Sequence, residues 1–177
     1  MSIPRGLSFL LAVALAGAAL PVLADDACLD FKWDVSKERA LFAGTPASLT
    51  AGHDLKSAPV VLPDRLYKLR LAAQDAVTFA VEPAKKTAAP VFAGLAALQI
   101  PAPGSYRVAL DLPSWIDVVS NGMLVAAQDF QGQHACGAPH KIVEFDLPAA
   151  QTFVLQFSNA ASESILVTII AAPPRKL

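Results

Sequence analysis

In RLYKLRLA, residues 65–72, Tyr67, Leu69 and Leu71 fall on one side of an extended chain while Lys68 and Arg70 fall on the other. Successive side chains of a strand point to opposite faces, so such a segment buries one face and leaves the other in water. The same alternation recurs with Val77, Phe79 and Val81 in VTFAV, and with Tyr106, Val108, Leu110 and Leu112 in GSYRVALDL. It returns with Val143, Phe145 and Leu147, with Phe153, Leu155 and Phe157, and with Ile165, Val167 and Ile169. Helical period is nowhere sustained over a comparable length. The chain is therefore expected to pair half-buried strands in antiparallel sheets.

Turn signals separate these runs at intervals of roughly ten residues, the rhythm of a β-sandwich. Residues 101–104 (PAPG) open one strand, and Pro148 and residues 158–162 (SNAAS) divide the last three. Asn121-Gly122 is a two-residue hairpin signal, because both positions tolerate positive φ; it is expected to join WIDVV to MLVAAQDF. Upstream, Phe31, Trp33 and Val35 alternate as a first strand would, and SKERALF reads as a short helix capped by Ser36 or Asp34, with Leu41 and Phe42 turned inward. Residues 43–63 suit a long loop or a short edge strand, and residues 83–90 a polar connection. Residues 91–100 suit strand or helix, and their bracketing by Pro90 and Pro101 favours strand. The expected fold is all-β: a single antiparallel, jelly-roll-like sandwich of seven to nine strands with a short N-terminal helix.

The first 24 residues have the layout of a secretory leader: Arg5, an apolar stretch from Leu7 to Leu20, then Pro21 and small residues ending at Ala24. The apolar stretch is short for a membrane span, and Asp25 and Asp26 follow it directly. Those two acids also do not suit lipid attachment at Cys28. Residues 25–177 are expected to form one domain, periplasmic or secreted, with no further membrane span. Losing Arg5 leaves 13 basic against 15 acidic residues, a net charge of −2, which excludes the broad basic surface of non-specific nucleic-acid binding. Two cysteines in an exported chain most simply form one disulfide, Cys28–Cys136.

Few residues invite chemistry. His134, Cys136 and His140 fall within seven positions of one another in GQHACGAPH. Imidazole and thiolate suit zinc or copper, and copper also takes thioether, here Met123. A disulfide at Cys136 removes the thiolate, however, and Gly132, Gly137 and Pro139 mark a loop. The favoured reading is a disulfide-pinned loop with no cofactor, His134 and His140 remaining the metal candidates and His53 lying in another loop. Asp111, Asp117, Asp129, Glu144 and Asp146 form no recognisable acid–base pair. Glu144 and Asp146 are expected on the solvent face, beside Arg107 and Lys141. Neither a Gly-x-Ser-x-Gly elbow nor a phosphate-cradling glycine loop occurs. Trp33 and Trp115 are the residues a sugar-stacking face would use, and their places on apolar runs favour packing instead.

CLDFKWDVSKERALF, GSYRVALDLPSWIDVV, ACGAPHKIVEFDL and FVLQFSNAASESILVTI together resemble a family of small exported proteobacterial proteins, over nearly all of residues 25–177. The resemblance implies no active-site residues. In rhythm the strand-rich part is similar to the jelly-roll modules called bacterial pre-peptidase C-terminal domains, which implies an accessory binding role. Chains with a similar opening also carry the label homogentisate 1,2-dioxygenase. That enzyme is a much larger cupin with a His/Glu/His iron set; His134, His140 and Glu144 are the only local candidates here and do not form its motif. The expectation is a non-catalytic module that binds a ligand or envelope partner. Its alternatives are a metal-binding protein using His134 and His140, or a glycan-binding module.

Overall fold

The computed structural model describes residues 28, 30–85, 87, 91–148 and 150–173; the expected leader, residues 1–24, lies outside them. Besides a 3-10 turn at Gln74–Ala76, twelve strands and one short α-helix make up the fold among the described residues. They are α1 (Ser36–Phe42), β1 (Ala47–Thr50), β2 (Val60–Val61), β3 (Leu66–Arg70), β4 (Ala72–Ala73), β5 (Phe92–Gln99) and β6 (Gly104–Leu110), then β7 (Trp115–Ser120), β8 (Met123–Val125), β9 (Ala127–Gly132), β10 (Lys141–Leu147), β11 (Thr152–Ala160) and β12 (Ser164–Ala171). Two sheets pack face to face. The first has the order β1-β3-β12-β6-β10-β9; the second has β2-β5-β11-β7-β8, with β4 also paired to β5.

The sandwich follows from the alternation. Tyr67, Leu69, Val108, Leu110, Val143, Phe145, Val167 and Ile169 of the first sheet meet Ala96, Leu98, Ile116, Val118, Phe153, Leu155 and Phe157 of the second in one buried core. Val, Ile and Phe suit a pleated, half-buried surface, and residues 91–100 supply β5, which sits beside the central strand β11. SKERALF is α1, but its N-cap is Val35 with no side-chain capping bond, neither Ser36 nor Asp34 filling that role; the Asp34 carboxylate accepts the Ser36 N–H at 2.9 Å just outside the helix. Asn121 and Gly122 take φ of 49° and 73° in the β7–β8 hairpin, as the turn chemistry requires.

Several expectations are corrected. The strands exceed nine, and the sheets are mixed: β1 runs parallel to β3, and β2 parallel to β5. Phe31, Trp33 and Val35 form no strand; Phe31 and Val35 pack with Cys28, Cys136, Ala109 and Ile142 on the outer face of the first sheet. Nor do Val77, Phe79 and Val81. That segment crosses the outer face of the second sheet, where Val77 and Phe79 cover Ala93, Leu95 and Val154. The Gln156 amide takes the place of a neighbouring strand: it accepts the Val81 N–H and donates to the Val81 carbonyl, both at 3.0 Å. Glycine is required where residues 51–59 close on β5, since a Cβ at Gly52 would lie 2.5 Å from the Ala58 nitrogen.

Glu144 is also corrected. It does point away from the sandwich core, but the N-terminal segment roofs that face, so Glu144 is buried while Asp146 is exposed. Arg107 Nε donates to Glu144 Oε2 at 3.0 Å, and Arg107 Nη1 lies 3.8 Å from Glu38 Oε1. The guanidinium also sits 4.7 Å from the Trp33 ring, a cation–π arrangement. Glu38, the buried residue of α1, has two oxygens without hydrogen bonds among the described residues, and Thr168 Oγ1 is in the same condition.

The disulfide joins Cys28 to Cys136, 108 positions apart, with Cα atoms 4.8 Å from one another. In the chain-entropy model so long a loop is worth up to about 5 kcal/mol, so Cys28→Ser with Cys136→Ser is expected to lower stability by about 2 to 5 kcal/mol in urea denaturation. Arg107→Met, which strips the cation from two buried carboxylates, should cost roughly 3 to 5 kcal/mol. Burial raises the Glu38 carboxyl above its ordinary value, with Arg107 opposing. Its protonated form therefore favours folding at low pH, and ionisation works against folding as pH rises. Glu38→Gln should raise the urea midpoint at neutral pH and lose that gain below about pH 4, where the carboxyl is protonated in both states.

Candidate functional site

A groove opens where the two sheets fail to match. β8 pairs only with Val118–Ser120 of β7, so Trp115, Ile116 and Asp117 have no ladder partner on that side among the described residues. After Val125 the chain leaves the second sheet and enters the first as β9, the edge strand beside β10. The eight residues MLVAAQDF, read as one strand, are thus two strands in different sheets.

The crossing carries a bulge. Glu144 stands opposite Asp129, but Phe145 stands opposite Ala127, leaving Gln128 as an extra residue. A bulge shifts the alternation of everything beyond it. Ala127 opposes inward-facing Phe145, and Phe130 opposes inward-facing Val143, so both turn to the core side of the sheet. Without the extra residue they would lie on opposite faces. Because the second sheet has already ended here, Phe130 is inward-directed yet 67% exposed. The resulting groove has a volume of about 470 Å³, with Trp115 and Ile116 on one wall and Phe130 and Val143 on the other.

Its rim is cationic. Lys141 opens β10 and donates to the Ser114 carbonyl at 2.9 Å, tying the sheets together at the mouth instead of pairing with the acids of its own strand. Its ammonium lies 4.9 Å from the centre of the Trp115 ring, and that of Lys85 lies 5.6 Å from it. Burial lowers the Lys141 pKa, Lys85 lowers it further, and Asp117 opposes both. Lys85 is held by a strap over the second sheet. The Asn159 amide donates to the Lys85 carbonyl at 2.9 Å. The Asp117 carboxylate accepts the Ala84 N–H at 3.2 Å and Trp115 Nε1–H at 2.9 Å. Trp115 is therefore half-buried and hydrogen-bonded by its edge, with its ring open to the groove. Trp33, by contrast, packs beside the disulfide.

The loop between β9 and β10 supplies the last wall. It is closed by Gln133 N–H donating to the His140 carbonyl at 2.8 Å and tied to β6 by His140 N–H donating to the Leu110 carbonyl at 2.7 Å. The His134 and His140 rings meet edge to face, with centroids 5.0 Å apart, and both line the groove. Burial lowers the His140 pKa, as do His134 and Lys141, against the pull of Asp111. Asp111 is raised by burial and accepts the Leu166 N–H at 2.8 Å.

The structure thus brings His134 and His140 together but keeps Cys136 in the disulfide. Met123 is exposed on β8, outside the groove lining. His53 faces Ser57 and Asp54 in its own loop. Among the described residues no group of three or more His, Cys, Asp or Glu is placed to hold a metal ion, and no helix is long and apolar enough to cross a membrane. Phe130 was not distinguishable from surface residues in the sequence, because the bulge and the short β8 that leave it uncovered have no composition signal. Lys85 and Lys141 come to the groove from a strap and from the start of β10, which no local pattern brings together. The chain matches no protein-family model and no curated protein.

Phe130 and Phe145 face the same way on adjacent strands but differ in cover, and this can be measured. Phe145→Ala should cost about 3 to 5 kcal/mol in urea denaturation, whereas Phe130→Ala should shift stability by no more than about 0.5 kcal/mol. A loss at Phe130 comparable with that at Phe145 would mean that Phe130 is packed in solution.

Proposed function

We propose that this protein is a non-catalytic, exported binding module and that the groove between β7 and β9 is its ligand site. The observation that carries the reading is Phe130, a large aromatic directed inward yet left unroofed beside the half-buried Trp115. Exposed aromatic surface in a concave, largely preformed site is where ligands gain most from leaving water. The walls are held by strand pairing, the disulfide and the Gln156–Val81 clamp, so little ordering cost attends binding. A disulfide spanning most of the described chain suits an oxidising compartment, in line with a leader over residues 1–24 and a periplasmic or secreted product.

The support for catalysis is thin. Among the described residues the groove groups able to move a proton are His134, His140, Lys141 and Lys85, and the Ser114 hydroxyl donates to the Ser158 and Trp115 carbonyls and not to an imidazole. The metal-binding alternative draws on the 5.0 Å approach of the two imidazoles. A glycan partner is favoured less, because two ammonium groups stand over the Trp115 ring, where a neutral sugar would stack.

Two measurements test this. Protein recovered from the native host should fractionate with exported proteins and begin at Asp25; a mature chain that keeps residues 1–24 in the cytoplasm would refute export. A screen of neutral and charged aromatic fragments by amide NMR should move resonances of residues 113–116, 127–132 and 140–143, and lose those shifts in Phe130→Ala. Shifts confined to other surfaces, or none, would remove the groove as the site.

A further inference from the structure

The chemistry of the groove narrows the class of ligand, given the reading of it as a binding site. Among the described residues its lining contains Lys85, Lys141, His134 and His140 and no aspartate or glutamate. That is unusual for a chain with 15 acidic and 14 basic residues. The nearest carboxylate on the β7 side, Asp117, is buried and turned to the Ala84 N–H and the Trp115 indole. Lys32 pairs with Asp129 and Lys37 with Asp64, whereas the exposed Lys56, Arg65, Lys68 and Arg70 have no such partner among the described residues. What distinguishes the groove is that two ammonium groups meet over one ring. Lys85 and Lys141 have no carboxylate within ion-pair distance among the described residues. Lys141 rests on a neutral carbonyl, that of Ser114. Two like charges thus converge over one indole ring in a partly desolvated mouth, an arrangement that an incoming anion relieves.

Below the rim the walls are apolar: Trp115, Ile116, Phe130 and Val143. We infer that the groove takes an amphiphilic organic acid, its flat apolar body between Trp115 and Phe130 and its anionic head between Lys85 and Lys141. A volume of about 470 Å³ accommodates a small molecule of this kind. A neutral aromatic leaves the ammonium pair unbalanced, and an anion without a body leaves the aromatic walls wet. Discrimination therefore requires both parts.

The probes are 2-naphthoate, the neutral 2-naphthalenemethanol and acetate, titrated into the full chain and followed by Trp fluorescence and calorimetry. Naphthoate is expected to bind at least about tenfold more tightly than either of the others, and to weaken between about 50 mM and about 500 mM salt while the alcohol does not. Lys85→Gln, at an exposed position whose side chain makes no ion pair, should reduce naphthoate affinity by about three- to tenfold with an unchanged urea midpoint. Lys141→Gln should do the same where it folds. Equal affinity for naphthoate and the alcohol, or indifference to Lys85→Gln, overturns the inference and leaves the groove as a binding site. Failure of all three probes to bind at millimolar concentration, together with an empty fragment screen, removes both.

Discussion

One covalent bond organises the outer face of the first sheet. Cys28 and Cys136 fasten residues 30–42 across the outer face of the first sheet, and that face would otherwise lie in water. Everything unusual about it follows from the cover. Arg107 and Glu144, which an uncovered strand pair would present to solvent, become an internal ion pair, and Glu38 is pressed in beside them. A buried ion pair of this kind adds little net stability over an apolar equivalent, but breaking it is costly. The same guanidinium is what the covering segment gathers around, with the Trp33 ring 4.7 Å from it and Glu38 of α1 3.8 Å away.

The same bond reaches the groove. Cys136 lies between His134 and His140, so the loop that positions both imidazoles is anchored from beneath by the disulfide and from the side by the His140 N–H to Leu110 carbonyl bond. Lys141 then starts β10 within one residue of that anchor. Opposite, Trp115 is fixed through Asp117 and the Ala84–Lys85 strap. Each wall of the groove is set by contacts on the outer faces of the sheets, and the groove itself is a place where the two inner faces fail to meet.

Much of the sandwich was legible, because the side-chain period of a strand is set by the backbone alone. Inward triplets such as Val143, Phe145 and Leu147 needed no knowledge of partners, and Asn121-Gly122 carried its own backbone requirement. Alternation states which side a residue takes but not what covers that side. Glu144 was assigned to the correct face and the wrong environment for this reason. The run Val77–Val81 alternates as a strand does, yet its apolar face serves as a lid for Leu95 and Val154, and a glutamine side chain occupies the place of its neighbour. Phe130 fails in the opposite sense. One unpaired residue at Gln128 inverts its side, and no feature of AAQDF announces it. His134 and His140 were found because rare residues close together in sequence stay close in a short loop; Lys85 reaches the same groove from 49 positions before His134.

The outermost strand of the first sheet has a further guard. Lys32 donates through its backbone to the Gln131 side chain and through its ammonium to the Phe130 carbonyl, while the Gln131 amide donates back to the Asp30 carbonyl. Bare strand edges recruit other strands, and here the leading segment of the chain occupies the position a second molecule would seek. Reducing one sulfur–sulfur bond therefore loosens more than a terminus. It frees the segment whose contacts cover β9, and an uncovered edge of that kind is a template for another strand.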